Sequence, residues 1–339
     1  MKLFNIFIIT FLFVVICVPS IIVLAFDNKE MNRKIVTNES VISTITETRE
    51  MEVTVYRMNN NDTETMSLEN YVKGVLASEM PASYELEALK AQAISARTFI
   101  IKTLLTKSIK NLPLEADITD STLEQVYKND EELKAMWKND NFEKNLKKIT
   151  QAVNETQGLI ITYNGEPIDA SFFAISNGYT VNSEDYWTTS IPYLKSVASP
   201  WDLKSPKLFE TKIISIDEME NKLGVKIPSN GDIGNVQKSS DERVSKIEIN
   251  GKNFIGREVR EALGLKSTDF VFKRSGDKIE ITTKGYGHGV GMSQNGANGM
   301  ALEGKNYIDI LKYYYQGVEI EDIKTNQDYK KLSEKKNEV

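Results

Sequence analysis

The sequence predicts an α+β fold, in which one mixed helix-and-strand domain carries a helical insertion and follows a single N-terminal transmembrane helix. Apolar residues recur at helical spacing over residues 68–76 and 86–104, whereas later segments alternate apolar and polar residues with the period of a strand. The two kinds of element follow one another in an irregular order, which argues against a doubly wound parallel sheet. No internal repeat is evident.

The N-terminal segment is uncharged and strongly apolar. Residues 3–26 contain no Asp, Glu, Lys or Arg and follow Lys2. As a helix this segment would reach about 36 Å, enough to cross a hydrocarbon core of ~30 Å. We therefore predict a transmembrane anchor at residues 1–26. The alternative is a signal peptide cleaved after Ala25, and both interpretations export the rest of the chain.

Three further regions follow the anchor. Residues 27–50 are rich in Asn, Thr, Ser and Glu, which predicts a polar stalk. The folded domain is predicted to span residues 51–320, with a charged helical insertion on its surface at residues 122–157. Residues 321–339 hold many charged and few apolar residues, which predicts a charged, solvated tail.

Two helices are predicted early in the folded domain. Ser67 can cap the first, whose apolar residues from Leu68 to Leu76 share one face, and Pro81 ends it. The second is predicted to run over about residues 85–107, where apolar residues again follow one side.

Strands are predicted mainly in the second half of the chain. Asn164-Gly165 is a strong hairpin signal between strands at residues 159–163 and 167–174. Further strands are predicted at residues 52–58, 208–215, 243–249, 270–273 and 278–283, and further helices at residues 253–263, 292–303 and 306–315.

Composition excludes several functions. The net charge of −6 argues against a nucleic-acid partner, since phosphate binding needs concentrated Lys and Arg. The single cysteine, Cys17, lies in the apolar segment, so the exported part has no thiol nucleophile and no disulfide. The single histidine, His288, does not supply the His and Cys ligands that zinc sites use. We therefore predict no bound metal and no other cofactor.

Glu79 is the candidate acid. It lies near the end of the first helix and continues its apolar face, eleven positions after Leu68. Partial burial and the negative end of the helix dipole would both raise its pKa, which a general acid near neutral pH requires. The structural alternative is an ion pair with Arg97 or Lys90 on the next helix.

A glycine-rich tract at residues 285–297 is the second unusual segment. Its alternating glycines allow backbone to approach a ligand closely, and the predicted helix start places Ser293 and Gln294 in a first turn. Such a terminus suits an anion, for example the lactyl carboxylate of muramic acid. The tract matches neither the dinucleotide fingerprint nor a phosphate loop. The alternative is a tight crossover whose glycines only permit packing.

A third segment, residues 176–187, mixes hydroxyls, an amide, acids and aromatic rings. Sugar sites use such mixtures, with aromatic rings under pyranose faces and polar groups on hydroxyls. Tyr186 and Trp187 would also be ordinary core residues.

These segments together resemble the stage II sporulation protein D family and the wider family that includes amidase-enhancer proteins. The resemblance rests on YVKGVLASEMP at residues 71–81, LKAQAISART at residues 89–98, SEDYW with IPYL within residues 183–194, and the loop at residues 287–297. It covers roughly residues 51–318, with the motifs in the order that the family has.

The resemblance implies a membrane-anchored lytic transglycosylase that acts during forespore engulfment. Its catalytic domain, residues 51–320, would lie outside the cytoplasm in the septal intermembrane space. The substrate would be peptidoglycan glycan strands from which a partner amidase, stage II sporulation protein P, has removed the stem peptides. A third membrane protein, stage II sporulation protein M, would act as the scaffold of both.

The resemblance also implies site residues. The catalytic acid falls on Glu79, and the groove contacts fall on Arg97, Ser176, Tyr193, His288, Ser293 and Gln294. One departure concerns a metal site that some members form with a Cys-Gln-Val-Tyr sequence and a nearby His. Here the corresponding residues are Glu124-Gln125-Val126-Tyr127, with no His nearby, so no zinc is expected.

Two other functions stay open at this point. A non-catalytic module could bind glycan and present it to an amidase, as the likeness to amidase enhancers allows. A hydrolytic muramidase would need a second carboxylate, such as Glu184. The transglycosylase alone would yield 1,6-anhydro ends at N-acetylmuramic acid.

Overall fold

The computed structural model describes residues 51–107, 109, 112–122, 124–229, 233–325 and 329. The predicted anchor, the predicted stalk and most of the predicted tail lie outside these residues. No helix within the described part of the chain is long and apolar enough to cross a bilayer. The described residues belong to one compact unit that mixes helices and short sheets, as an α+β fold does.

The first elements form a hairpin and a helical layer. Strands β1 (Glu52–Arg57) and β2 (Asp62–Ser67) pair antiparallel, and β3 (Ile118–Thr119) runs parallel to β1. Helices α1 (Leu68–Glu79) and α2 (Leu86–Thr106) follow. The predicted cap is confirmed, because Ser67 Oγ accepts the Asn70 N–H at 3.4 Å.

The predicted helical region at residues 122–157 contains α3 (Asp130–Trp137) and α4 (Asn139–Asn154). Both helices contribute to the main core, since Leu133 and Ile149 have no exposed area. The predicted hairpin at Asn164-Gly165 is confirmed, and it joins β4 (Leu159–Tyr163) to β5 (Glu166–Pro167).

The C-terminal elements complete the same core. Strand β6 (Phe172–Phe173), helix α5 (Ser183–Trp187), strand β13 (Met292–Ser293), helices α8 (Gln294–Leu302) and α9 (Tyr307–Tyr314), and strand β14 (Glu319–Asp322) belong to it. The helix predicted from residue 292 begins only at Gln294, because Met292 and Ser293 pair with β6. β14 pairs with β4 and Ile323 is buried, so packed structure extends past residue 320.

Residues 209–284 form a second hydrophobic cluster. It contains β7 (Phe209–Ser215), α6 (Ile216–Leu223), β8 (Asn235–Lys238), β9 (Val244–Ile249), β10 (Lys252–Ile255), α7 (Gly256–Leu263), β11 (Phe270–Ser275) and β12 (Lys278–Lys284). These strands form two antiparallel sheets, ordered β11-β12-β7 and β10-β9-β8. The helix predicted over residues 253–263 is wrong in its first three residues, which belong to β10 and pair with β9.

Candidate active site

Glu79 ends α1 and is partly buried. The backbone N–H of Val126 donates to its Oε1 at 2.9 Å. Burial raises the pKa of Glu79 above its ordinary value, and the hydrogen bond from Val126 opposes that shift without cancelling it. Among the described residues no hydrogen bond reaches Oε2, so that oxygen is the one that carries the proton in the acid form.

The structural alternative, an ion pair with Arg97 or Lys90, is not formed. Arg97 donates to Glu69, with Nε to Oε1 at 2.9 Å and Nη2 to Oε2 at 2.5 Å. Lys90 pairs with Glu87 at 2.7 Å and with Glu155 at 2.6 Å. Both cations are therefore held by carboxylates other than Glu79.

A segment at residues 124–127, here called the cover segment, lies against α1 beside Glu79. Tyr71 on α1 donates its hydroxyl to Gln125 Oε1 at 3.1 Å, and the rings of Tyr71 and Tyr127 stack at 5.8 Å. Glu124 accepts hydrogen bonds from the Thr119 and Ser121 hydroxyls. The segment thus holds Val126 in place over the Glu79 carboxyl and supplies part of its burial.

The cover segment is also where some relatives were expected to hold a metal. Glu124 stands at the position of the Cys in those relatives, and its carboxylate accepts hydrogen bonds from two hydroxyls. Within the described residues, no group of three or more His, Cys, Asp and Glu side chains could hold a metal ion.

Gly74 lets the cover segment approach α1. A Cβ at this position would lie 2.4 Å from a ring carbon of Tyr127 and 2.6 Å from the Lys128 carbonyl oxygen. Gly74→Ala is therefore expected to push the segment outward and to cost about 1–3 kcal/mol of stability, measured as a lower melting temperature. Because Glu79 would become more hydrated, its pKa should fall, which a titration of its carboxyl followed by NMR would measure.

The matched control is Asn70→Ala, an exposed alanine substitution on the same helix. It should leave both the melting temperature and the pKa of Glu79 unchanged. An unshifted Glu79 pKa in Gly74→Ala, despite a lower melting temperature, would mean that the cover segment does not set the acidity of Glu79.

Ser176 and Ser293 are brought together by a carboxylate that the sequence analysis did not single out. Asp202 accepts the Ser176 hydroxyl on Oδ2 at 2.6 Å and the Ser293 hydroxyl on Oδ1 at 2.9 Å. Ser199 adds a third hydroxyl at 2.7 Å, and the Asn295 side chain also donates. Burial raises the pKa of Asp202.

Asp202 and its four donors, Ser176, Ser199, Ser293 and Asn295, are here called the Asp202 cluster. This cluster changes the interpretation of the α8 N-terminus. Ser293 caps this helix by accepting the Gly296 N–H at 3.2 Å, and its own proton goes to Asp202. The sequence predicted that the first turn of α8 suits an anion. In the structure the anionic group beside this turn is the carboxylate of Asp202, which belongs to the protein itself. Ser176 and Ser293 have no exposed area, and their roles in substrate binding stay predictions.

Three other predicted contacts are held by partners within the protein. Gln294 is buried, with its Nε2 3.3 Å from Gln92 Oε1. The Tyr193 hydroxyl accepts the Asp169 N–H at 2.9 Å, and burial raises the pKa of Tyr193 to about 12. Arg97 is fully buried in its pair with Glu69. These roles in substrate binding stay predictions.

His288 is held as a neutral ring. Its Nε2 lies 3.0 Å from the Phe172 carbonyl oxygen, which can only accept, and its Nδ1 accepts the Val290 N–H at 3.1 Å. Burial, aided by the charge of Arg260, lowers the pKa of His288 to about 4. The imidazole therefore packs with Tyr186 and Trp187 as an uncharged aromatic ring.

Much of the glycine tract is explained by close packing. A Cβ at Gly291, where φ is +80°, would lie 2.0 Å from the Ser171 carbonyl oxygen. A Cβ at Gly289, where φ is +91°, would lie 2.9 Å from the Arg243 guanidinium. Both positions require glycine, as the crossover alternative expected.

The segment after Glu79 connects the acid to the glycine tract. The Glu85 N–H donates to Asn298 Oδ1 at 2.7 Å, and the Tyr84 hydroxyl lies 3.4 Å from Asn295 Oδ1. Both asparagines lie on α8, Asn295 within the tract and Asn298 directly after it. Tyr84 and Glu85, which follow Glu79 closely along the chain, thus link the acid to this segment.

Comparisons with known proteins show which family the chain belongs to. The family model described as stage II sporulation protein, SpoIID, matches residues 56–163, which contain both Glu79 and the cover segment. Stage II sporulation protein D of Bacillus subtilis (strain 168) is 47% identical over 95% of this chain and 96% of its own length. The protein of the same name from Bacillus amyloliquefaciens is 48% identical over 91% of this chain and 92% of its own.

A more distant relative is the amidase enhancer of Bacillus subtilis (strain 168). It is 32% identical over 73% of this chain and 39% of its own length. The extent and identity of the first two matches show that the chain belongs to the stage II sporulation protein D family.

Proposed function

We propose that this chain is a peptidoglycan lytic transglycosylase that uses Glu79 as its single acid and base. The observation that carries the proposal is the state of the Glu79 carboxyl. The carboxyl is partly buried and its pKa is raised. Among the described residues, only one of its two oxygens accepts a hydrogen bond. A lytic transglycosylase needs one such group, whereas glycoside hydrolysis generally uses two carboxylates.

The mechanism follows from the free oxygen of Glu79. Protonated Oε2 donates its proton to the oxygen that bridges N-acetylmuramic acid and N-acetylglucosamine, and the glycosidic bond breaks. The same carboxylate then takes the proton of the muramoyl C6 hydroxyl as that oxygen attacks C1. The product is a 1,6-anhydro ring, no water is consumed, and Glu79 returns to its acid form.

The Val126 N–H contributes to both steps. It bonds Oε1 at 2.9 Å, which fixes the rotation of the carboxyl and leaves Oε2 as the working oxygen. It also stabilises the carboxylate that exists between the two steps, since a hydrogen bond to the charged form favours that form. Burial stabilises the acid form needed at the start.

The biological setting is part of the proposal. Membership in the stage II sporulation protein D family supports a role in cell-wall remodelling during sporulation. We infer a membrane-anchored enzyme that acts in the septal space during engulfment, on glycan strands freed of stem peptides. The proposed partners are stage II sporulation protein P as amidase and stage II sporulation protein M as scaffold.

Product analysis tests the reaction type. The purified full-length chain is incubated with glycan strands from which an amidase has removed the stem peptides, and the fragments are identified by mass. Fragments ending in 1,6-anhydro-muramic acid are expected. Fragments with reducing ends, heavier by one water, would instead identify a hydrolase, and the proposed single-carboxylate mechanism would be wrong.

A glycan-presenting module is the second candidate function. The relative named amidase enhancer favours it. A presenting module would bind the strands without cleaving them, and would increase the rate at which an added amidase removes stem peptides from intact peptidoglycan. The same incubation separates the two candidates, because only the transglycosylase shortens the strands by itself.

A further inference from the structure

Apolar and aromatic side chains are exposed around the turn at residues 198–203. Leu203 is 49% exposed and Tyr179 is 54% exposed. A Cβ at Gly178 would lie 3.3 Å from the Leu203 side chain, so Leu203 packs beside residue 178. The next residue, Tyr179, forms a β-bridge with Ala198. Leu203 and Tyr179 therefore reach the solvent on one surface.

Trp201 and helix α8 extend this surface. A Cβ at Gly299 would lie 2.3 Å from the Cβ of Trp201, so the Trp side chain rests directly on α8. Leu302 lies three positions further along the same side of α8 and is 68% exposed. The Trp201 ring meets the Tyr313 ring at 5.6 Å, and the Tyr313 hydroxyl donates to the Ala198 carbonyl oxygen at 2.6 Å. The apolar patch, as we call it, consists of Tyr179, Trp201, Leu203, Leu302 and Tyr313.

Exposed lysines border the apolar patch. They are Lys204, Lys207 and Lys305. In the described part of the chain none of the three forms an ion pair. Over residues 201–207 and 299–305, which carry these lysines, Glu303 is the one exposed carboxylate. The border of the patch therefore has an excess of positive charge, although the chain as a whole has a net charge of −6.

This combination of side chains is typical of a surface that meets a lipid bilayer. Trp and Tyr are enriched at the boundary between water and hydrocarbon, exposed leucines can enter the acyl chains, and lysines are attracted to anionic headgroups. A sugar site would instead need free polar groups beside its aromatic rings, and the Tyr313 hydroxyl is already bonded to Ala198. The two exposed leucines gain from contact with acyl chains and not from contact with sugar hydroxyls.

We propose that the apolar patch and its three lysines dock the folded domain onto an anionic phospholipid bilayer. The predicted anchor at residues 1–26 would already supply a bilayer close to the domain, so a weak additional contact is enough to keep the patch bound. The inference goes beyond the proposed reaction and shares with it only the predicted membrane setting.

Docking would also orient the candidate acid. Helix α8 extends from Gln294 to Leu302, about 13 Å at the helical rise of ~1.5 Å per residue. Its Asn298 side chain accepts the Glu85 N–H in the connection that follows Glu79, and its last residue, Leu302, belongs to the apolar patch. A bilayer bound at the patch would therefore fix the orientation of α8 and, through it, the direction from which glycan reaches Glu79.

The fluorescence of Trp201 tests the contact. The chain has three tryptophans, none of them in residues 1–26, and Trp137→Phe with Trp187→Phe leaves Trp201 as the single reporter. The full-length chain with these two changes is reconstituted into vesicles of equal parts phosphatidylglycerol and phosphatidylcholine, with or without bromine on the acyl chains. Bromine quenches a Trp that it contacts, so the emission should fall in the brominated vesicles. It should fall less in brominated vesicles of phosphatidylcholine alone.

Two sets of substitutions should weaken the docking. The first set is Lys204→Gln, Lys207→Gln and Lys305→Gln. Each should lower the ratio of docked to undocked chains by about fivefold, so the triple variant should lose the quenching. The second set, Leu203→Gln with Leu302→Gln, removes the side chains that enter the bilayer and should lose the quenching as well.

Both sets have matched controls within residues 209–284. The charge control is Lys246→Gln, Lys273→Gln and Lys278→Gln, which removes three exposed lysines. The apolar control is Ile213→Thr with Val271→Thr, at side chains that are 63% and 55% exposed. Both control variants should keep the quenching. Melting curves of all four variants should match that of the parent chain, because every changed residue is exposed.

Two results would overturn the proposal. One is equal Trp201 emission from brominated and plain vesicles, and the other is quenching that survives in both the lysine and the leucine variants. A change in Trp201 emission on addition of glycan strands, with no quenching by brominated lipid, would assign the patch to glycan instead. The product analysis of the proposed reaction needs no bilayer, so the docking and the cleavage fail separately.

Discussion

Glu79→Gln is expected to remove glycan cleavage while leaving the fold intact. The loss of one positioned acid typically lowers a rate by ~10²–10⁴-fold, and more is expected here because the group acts twice. The Gln amide oxygen can still accept the Val126 N–H, which is bonded at 2.9 Å to Glu79. The measurement is the release of anhydro-ended fragments, compared with strand binding, which should be retained.

The change in stability that Glu79→Gln causes depends on pH in a predictable direction. Burial raises the folded-state pKa of Glu79, so its ionised form is the less stable one in the folded protein. The wild type therefore loses stability as pH rises through that pKa. Glu79→Gln lacks this loss, and its melting temperature should equal or exceed that of the wild type on the alkaline side.

The cleavage rate of the wild type should follow the same titration. Because the first step needs the protonated acid, the rate should fall as pH rises above the Glu79 pKa. Glu85→Gln is the matched control, since Glu85 is exposed and lies six residues further along the chain. Wild-type cleavage rates in Glu79→Gln would rule out the proposed acid, and the presenting function would then be favoured.

Local signals in the sequence predicted the helices around the acid. The Ser67 cap, the apolar spacing of α1 and the stop at Pro81 place Glu79 at the end of α1, where the structure has it. Partial burial of Glu79 follows from its position on the apolar face. The hairpin at Asn164-Gly165 was predicted for the same reason, because its turn geometry depends only on adjacent residues.

One missed element had an equally local signal. Asn250-Gly251 joins β9 to β10, and both residues have positive φ, at 47° and 78°. This dipeptide predicts a tight hairpin, so the residues that follow it should have been assigned to a strand. Helical periodicity over residues 253–263 obscured the short strand that precedes α7.

The chemistry of the site depends on contacts that sequence does not encode locally. Val126 contacts Glu79 across 47 positions, and Ser293 contacts Asp202 across 91. Of the partners of Asp202, only Ser199 is near it in the sequence, whereas Ser176, Ser293 and Asn295 come from two other segments. The hydroxyls of the two serines predicted to touch substrate, Ser176 and Ser293, donate to Asp202, a partner that the sequence did not indicate.

Asp202→Ala is expected to produce the largest loss of stability among the substitutions considered. Asp202 accepts three buried hydroxyls, from Ser176, Ser199 and Ser293, which would all lose their acceptor. Leaving several buried polar groups without partners, together with the cavity, should cost about 3 kcal/mol or more. The melting temperature should fall by roughly 5 °C or more, measured by calorimetry or circular dichroism.

The consequence of this substitution extends to the proposed site, because the Asp202 cluster joins four segments. Ser199 also bonds the Tyr314 hydroxyl at 2.8 Å, and Ser293 caps α8, which carries Asn295 and Asn298. Those asparagines contact the connection that follows Glu79, so cleavage should fall even where Asp202→Ala remains folded.

The control is Asp185→Ala, which replaces an exposed Asp on α5 and should change stability by no more than about 0.5 kcal/mol. A melting temperature for Asp202→Ala close to that of the wild type would show that the hydroxyls find other partners. The α8 N-terminus would then be free to accept an anion from outside the protein.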